Sequence, residues 1–169
     1  DRGALFTRLA DQVIEAADNA TIDCQLSRGE LSRIALIDDR PGGRIDKWSF
    51  ATLEENANKL ARLLIQLGVG ANDRVLSCGQ NSCWLVAMTN AVRKIGAVGV
   101  PLNYRLTQEE ASYVVDNSDS VVVFSDAEFA DLFLKIRPET PKVRDVLIFD
   151  AALPDDVRVG DLLATPVTG

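Results

Sequence analysis

The sequence predicts an α/β fold: a largely parallel sheet with helices on both faces. Three observations carry this expectation. From residue 74 onward, short runs of β-branched residues alternate with helical segments, the order that crossover connections between parallel strands require. Phe50, Leu53, Ala57, Leu60, Ala61, Leu64 and Leu67 recur at three- and four-residue spacing, which lays them along one face of a helix. Thr107-Gln108-Glu109-Glu110 has the form of a capping box and fixes another helix start.

Taken in order, residues 5–17 form an amphipathic helix, with Leu5, Phe6, Leu9, Val13, Ile14 and Ala17 on its apolar side. Residues 19–29 have no clear period. Residues 34–37 read as a short strand, residues 38–43 as a turn containing Pro41-Gly42-Gly43, and residues 45–48 as the return strand of a hairpin. Ser49 caps the helix that carries the long apolar stripe, and Gly68 stops it. Strands are then expected at 75–78, 98–101, 121–124 and 146–149, and helices at 83–95, 108–116 and 128–136. The expected organisation is one α/β unit over 1–150, with 1–33 as helix and irregular lead-in, followed by a connecting tail at 151–169 rich in Asp, Pro and Ala.

Composition narrows the function classes. With 169 residues, 47% apolar and 25% charged, the chain has the proportions of one soluble domain, and its apolar runs are too interrupted for a transmembrane segment. A net charge of -7 argues against a nucleic-acid partner, which would call for clustered Lys and Arg. Three cysteines, Cys24, Cys78 and Cys83, make an odd count and point to free thiols in a reducing, cytoplasmic setting. Zero histidines removes the usual general base and the commonest metal ligand, which argues against a self-contained hydrolase. A homo-oligomer is compatible with this composition.

The polar constellations are modest. Gly68 and Gly70 lie between a helix and the following strand, the wrong order for a phosphate loop, and Gly96 and Gly99 surround a strand. Residues 78–83 do connect a strand to a helix, where a carboxylate or phosphate could meet free N–H groups, but Ser82 can cap those groups itself. Cys78 and Cys83 make a poor zinc pair without a histidine. Glu54-Glu55 and Glu109-Glu110 are expected as first-turn charges favoured by the helix dipole, since adjacent helical side chains do not face each other. Asn103 and Arg105, just past Pro101 at the carboxyl end of a strand, are the best candidates for a ligand-side loop. Their structural reading is a turn at Asn103 and an anchoring bond from Arg105. Trp84 and Met88 belong to a helix with more apolar surface than one stripe needs and are candidates for the wall of an acyl channel, or for core.

Residues 93–106, Arg-Lys-Ile-Gly-Ala-Val-Gly-Val-Pro-Leu-Asn-Tyr-Arg-Leu, resemble the early K-x-G-A-x-x-V-P-L-N-x-R-L core of the adenylate-forming (AMP-binding) enzymes, the acyl-CoA synthetases in particular. The helix opening Ser49-Phe50 and the link at 67–75 add to the likeness, which covers about residues 34–150. One departure is Thr52, where the family has a Glu that reaches back to the capping residue. The resemblance implies the amino-terminal subdomain of that fold. For the intact enzyme it implies a ligase that activates a fatty or other carboxylic acid with ATP and Mg²⁺ and passes the acyl group to coenzyme A. The family's nucleotide loop, later motifs and carboxyl-terminal Lys have no matching positions here, so no catalytic, cofactor-binding or metal residue carries over. The implied picture is a trimmed fragment, inactive alone, whose partner is the remaining carboxyl-terminal part of its own protein. A non-catalytic binding or scaffold module and a piece of a peptide-synthetase adenylation domain are the alternatives.

Overall fold

The computed structural model describes residues 28–40 and 43–149. The helix expected over 5–17, the tail at 151–169 and Cys24 lie outside the described residues.

The described chain opens with a single turn, α1 (Arg28–Leu31), and a hairpin of β1 (Ile34–Arg40) and β2 (Arg44–Ser49) paired antiparallel. β1 is longer than its apolar core: Asp38, Asp39 and Arg40, expected as turn, are held in the ladder opposite Asp46, Ile45 and Arg44. Cross-strand backbone bonds here overrule the local turn preference of Asp.

α2 (Phe50–Gln66) follows directly. Ser49 is its N-cap, and the Ser49 hydroxyl accepts from the Thr52 N–H at 3.1 Å. Thr52, standing in the Glu position of the family pattern, meets the Ser49 hydroxyl side chain to side chain at 2.9 Å. The apolar stripe is buried as expected, with Leu53, Ala57, Leu60, Ala61 and Leu64 all facing inward. The helix ends as its sequence demands. Gly68 has φ +75°, its N–H bonds the Ile65 carbonyl and the Val69 N–H bonds that of Leu64, the paired closure that a residue in the left-handed region allows. α3 (Cys83–Lys94) closes the same way at Gly96, φ +70°.

Four parallel strands form the sheet: β3 (Arg74–Cys78), β4 (Val98–Leu102), β5 (Ser120–Asp126) and β6 (Asp145–Phe149), in the spatial order β4-β3-β5-β6. β4, with Pro101 in it, is an outer strand. Helix α3 joins β3 to β4, α4 (Gln108–Asn117) joins β4 to β5, and α5 (Ala130–Ile136) joins β5 to β6. The expected start of α5 at Glu128 is instead a 3₁₀ turn over Ala127–Phe129. Alternation along the strands divides the core in two. Val75, Val122, Phe124, Leu147 and Phe149 pack with α2 and α3 on one face, whereas Leu76, Cys78, Leu102 and Val123 pack with α4 and α5 on the other. Phe124 and Phe149 stack with ring centroids 4.4 Å apart. Both faces are therefore covered, as a parallel sheet requires. No helix among the described residues is long and apolar enough to cross a membrane.

Lys94, at the end of α3, is 5% exposed and paired with Glu54 of α2. Glu54 and Glu55 thus correct the expectation of first-turn charges: α2 has no acidic residue in its first turn, Glu54 ties two helices together, and Glu55 pairs with Lys59 one turn on at 2.6 Å. Glu109 and Glu110 do sit in the first turn of α4.

Candidate functional site

In a parallel α/β sheet, ligands bind beyond the carboxyl ends of the strands, where neighbouring connections depart to opposite faces. Here that point lies between β3 and β5, because α3 leaves β3 toward one face and the chain beyond β5 enters α5 on the other. The residues that build this edge are Gly79, Gln80 and Asn81 after β3, Asn103, Tyr104 and Arg105 after β4, and Asp126, Glu128 and Phe129 at the end of β5.

Glycine at 79 permits close approach. A Cβ there would come within 3.2 Å of Asp126 Cβ and 3.3 Å of Phe149 Cζ, tighter than side chains ordinarily pack. One residue on, the Gln80 amide donates to Glu128 at 3.0 Å and bridges the two strand ends. Beneath them the Cys78 thiol is fully buried, and burial, with the charge of Asp126 adding to it, pushes its pKa up to about 11. A thiol so placed stays protonated and unreactive at neutral pH.

Two of the donors at the start of α3 are engaged by side chains. Ser82 is the N-cap, accepting from the Leu85 N–H at 3.2 Å, and the Asp38 carboxylate of the hairpin accepts from the Cys83 N–H at 3.0 Å. The sequence foresaw the serine. It also allowed a carboxylate at this position, but gave no sign that the chain supplies its own from 45 residues upstream. At α4 the Thr107 hydroxyl accepts from the Glu110 N–H while the Glu110 carboxylate accepts from the Thr107 N–H, a complete capping box. Those bonds to Thr107 hold the Glu110 carboxyl below its ordinary range.

Asn103 and Arg105 come together in one loop at the expected edge. The Asn103 side chain accepts from the Arg105 N–H at 3.0 Å and its carbonyl accepts from the Leu106 N–H at 3.2 Å, so Asn103 makes the turn. The Arg105 guanidinium lies 5.4 Å from the centre of the Tyr104 ring, and Tyr104 in turn packs on Phe129 at 5.3 Å. This aromatic support was missed, because Phe129 comes from a different connection. Trp84 and Met88, on α3, do not join the Asn103–Arg105 loop. Trp84 is half-buried and meets Trp48 of β2 edge to face at 5.0 Å, and Met88 is buried in the core shared with α2. Among the described residues no group of three His, Cys, Asp or Glu side chains is placed to hold a metal ion, and Cys78 and Cys83 are both buried and not joined in a disulfide.

The sequence model of the AMP-binding enzyme family matches residues 25–162. A medium/long-chain fatty-acid and 3-oxocholest-4-en-26-oate CoA ligase of Mycobacterium marinum is 34% identical over 113 residues, which are 67% of this chain and 20% of that protein. A crotonobetaine/carnitine CoA ligase of Escherichia coli is 30% identical over 125 residues, 73% of this chain and 24% of the relative. The chain thus spans about a fifth to a quarter of the length of these curated relatives. Among solved structures, the inhibitor-bound amino-terminal domain of FACL13 from Mycobacterium tuberculosis is similar with 28% identity and a TM-score of 0.62, over 72% of this chain and 29% of that one. A long-chain fatty-acid CoA ligase from Rhodopseudomonas palustris, described as putative, matches with 25% identity and a TM-score of 0.66, over 94% and 37%. With the family model matched over residues 25–162 and these likenesses beside it, the chain belongs to the AMP-binding enzyme family of adenylate-forming enzymes.

Proposed function

We propose that the chain is the amino-terminal α/β part, residues 1–150 with a connecting tail at 151–169, of an acyl-CoA ligase acting on a fatty or related carboxylic acid. The whole enzyme would use ATP and Mg²⁺ to activate the acid as an acyl-adenylate, and coenzyme A to receive the acyl group. The observation that carries this reading is the 34% identity to a fatty-acid CoA ligase. The odd cysteine count and the buried, protonated Cys78 thiol support a reducing, cytoplasmic setting.

The described residues do not fit a magnesium-bound polyphosphate. Such a group needs oriented N–H donors and cations, whereas at the start of α3 the Leu85 and Cys83 N–H groups are taken by Ser82 and Asp38, and at that of α4 the Glu110 N–H is taken by Thr107. In this reading the phosphate-binding groups belong to the rest of the polypeptide, and these residues form the wall against which they work. Asn103 and Arg105 are the residues we assign to the ligand side of that wall, with Trp84 and Met88 behind it as the packing that would limit an acyl channel.

ATP–pyrophosphate exchange tests the proposal. The 169-residue chain should show none with any fatty acid, and the protein expressed from the extended natural reading frame should show exchange that depends on a carboxylic acid, then thioester formation with coenzyme A. Exchange by the short chain would overturn the division of labour. Silence from the extended protein would favour a non-catalytic module.

A further inference from the structure

The hairpin and the sheet are far apart in sequence and meet at one functional place. Asp38 of β1 accepts from the Cys83 N–H at 3.0 Å, and Trp48 of β2 packs edge to face on Trp84 at 5.0 Å, so two consecutive residues opening α3 are held by the hairpin. Immediately before them runs the loop from Gly79 to Ser82, which leaves β3 at the switch point and is fixed at its other end by the close approach of Gly79 to Asp126 and the Gln80 to Glu128 bond. Ser82 caps α3 through the Leu85 N–H, which leaves the Cys83 N–H, an orphan donor of the first turn, to Asp38. A carboxylate at a helix N-terminus is favoured by the dipole as well as by the bond itself.

We propose that Asp38 is a positioning residue: its carboxylate grips the start of α3 and thereby sets the course of the Gly79–Ser82 loop at the ligand edge of the sheet. This rests on reading the chain as part of a carboxylate-activating ligase. The neighbour in sequence supplies a control. Asp38 pairs with Asp46 across the hairpin and reaches α3, whereas Asp39 alternates to the opposite side of β1, pairs with Ile45 and is exposed.

The test uses the extended protein and three variants. Asp38→Ala should lower the acid-dependent ATP–pyrophosphate exchange, as kcat/KM, on the order of tenfold, the scale of losing one strong cap. Asp38→Asn, whose amide oxygen accepts the same bond, should recover most of it, and Asp39→Ala should leave it unchanged. Hydrogen exchange of the 83–86 amides should speed up in Asp38→Ala only, at a temperature where all variants remain folded. Equal losses in Asp38→Ala and Asp39→Ala would overturn the proposal in favour of general hairpin stability, as would an Asp38→Ala enzyme with wild-type kinetics. A wild-type extended protein without exchange would refute the ligase reading instead, and the hydrogen-exchange comparison would then decide the role of Asp38 in the loop.

Discussion

Lys94→Met is the perturbation that most directly tests how α2 and α3 are held together. The ammonium is 5% exposed with its residue and pairs with Glu54, whose side chain is 15% exposed. The second carboxylate oxygen, Glu54 Oε2, is buried and has no protein partner. Removing Lys94 therefore leaves a carboxylate that has lost water on one side and its counter-charge on the other. Breaking one side of a buried pair costs about 3–5 kcal/mol, and the residual exposure of Glu54 puts this case near the lower end, about 3 kcal/mol. Replacing both charges, Glu54→Leu with Lys94→Met, removes the uncompensated Glu54 carboxylate and should recover part of the single-variant loss. Urea denaturation of the four proteins at neutral pH, with unchanged m-values, gives the numbers. A single-variant loss below about 1 kcal/mol would mean that the pair behaves like an exposed one. A double variant as unstable as the two singles summed would mean that the residues act independently.

Leu60→Ala should cost about 2–5 kcal/mol in the same assay, since Leu60 is 0% exposed at the centre of the α2 stripe; a few tenths would contradict its burial. The Glu110 carboxyl is held below its ordinary value of 4.5, so its capping bonds stabilise the fold above that pH and are lost as pH falls through the lowered value. Glu110→Gln keeps an acceptor but does not titrate, and a melting temperature profile as steep as wild type between pH 5 and about 2 would exclude the assignment. Cys78 and Cys83 should resist iodoacetamide at pH 8 in the native protein and react after denaturation, read by mass; rapid native labelling of Cys78 would contradict a thiol pKa near 11.

What the sequence revealed and what it withheld follow the range of the forces involved. The α2 stripe, its stop at Gly68 and the Thr107 capping box are written in residues three to five positions apart, and each stands where the spacing put it. The alternation of strands and helices likewise gave the parallel sheet. Asp38 to Arg40 went the other way, because a local turn preference competes with ladder bonds to residues not yet in view. The partner of Glu54 lies 40 residues downstream and that of Asp38 45 residues downstream, so no helical or strand period connects them. The edge loop was legible in part: Asn103 makes the turn its residue type suggests, while the stack of Arg105, Tyr104 and Phe129 joins two connections and has no local signature.

Pro101 has a consequence apart from chemistry. It lies on β4, an outer strand of the described sheet, which among the described residues pairs only with β3. A proline nitrogen cannot donate, and a rim that is short, interrupted by a proline and thinned by Gly99 is a poor template for a strand from another molecule. The residue that marks the motif thereby also discourages edge-to-edge growth into aggregates. Substituting it with valine would leave the sheet order intact and turn a guarded margin into a continuous row of donors, so that self-association at high protein concentration, rather than loss of turnover, would be the first defect to surface.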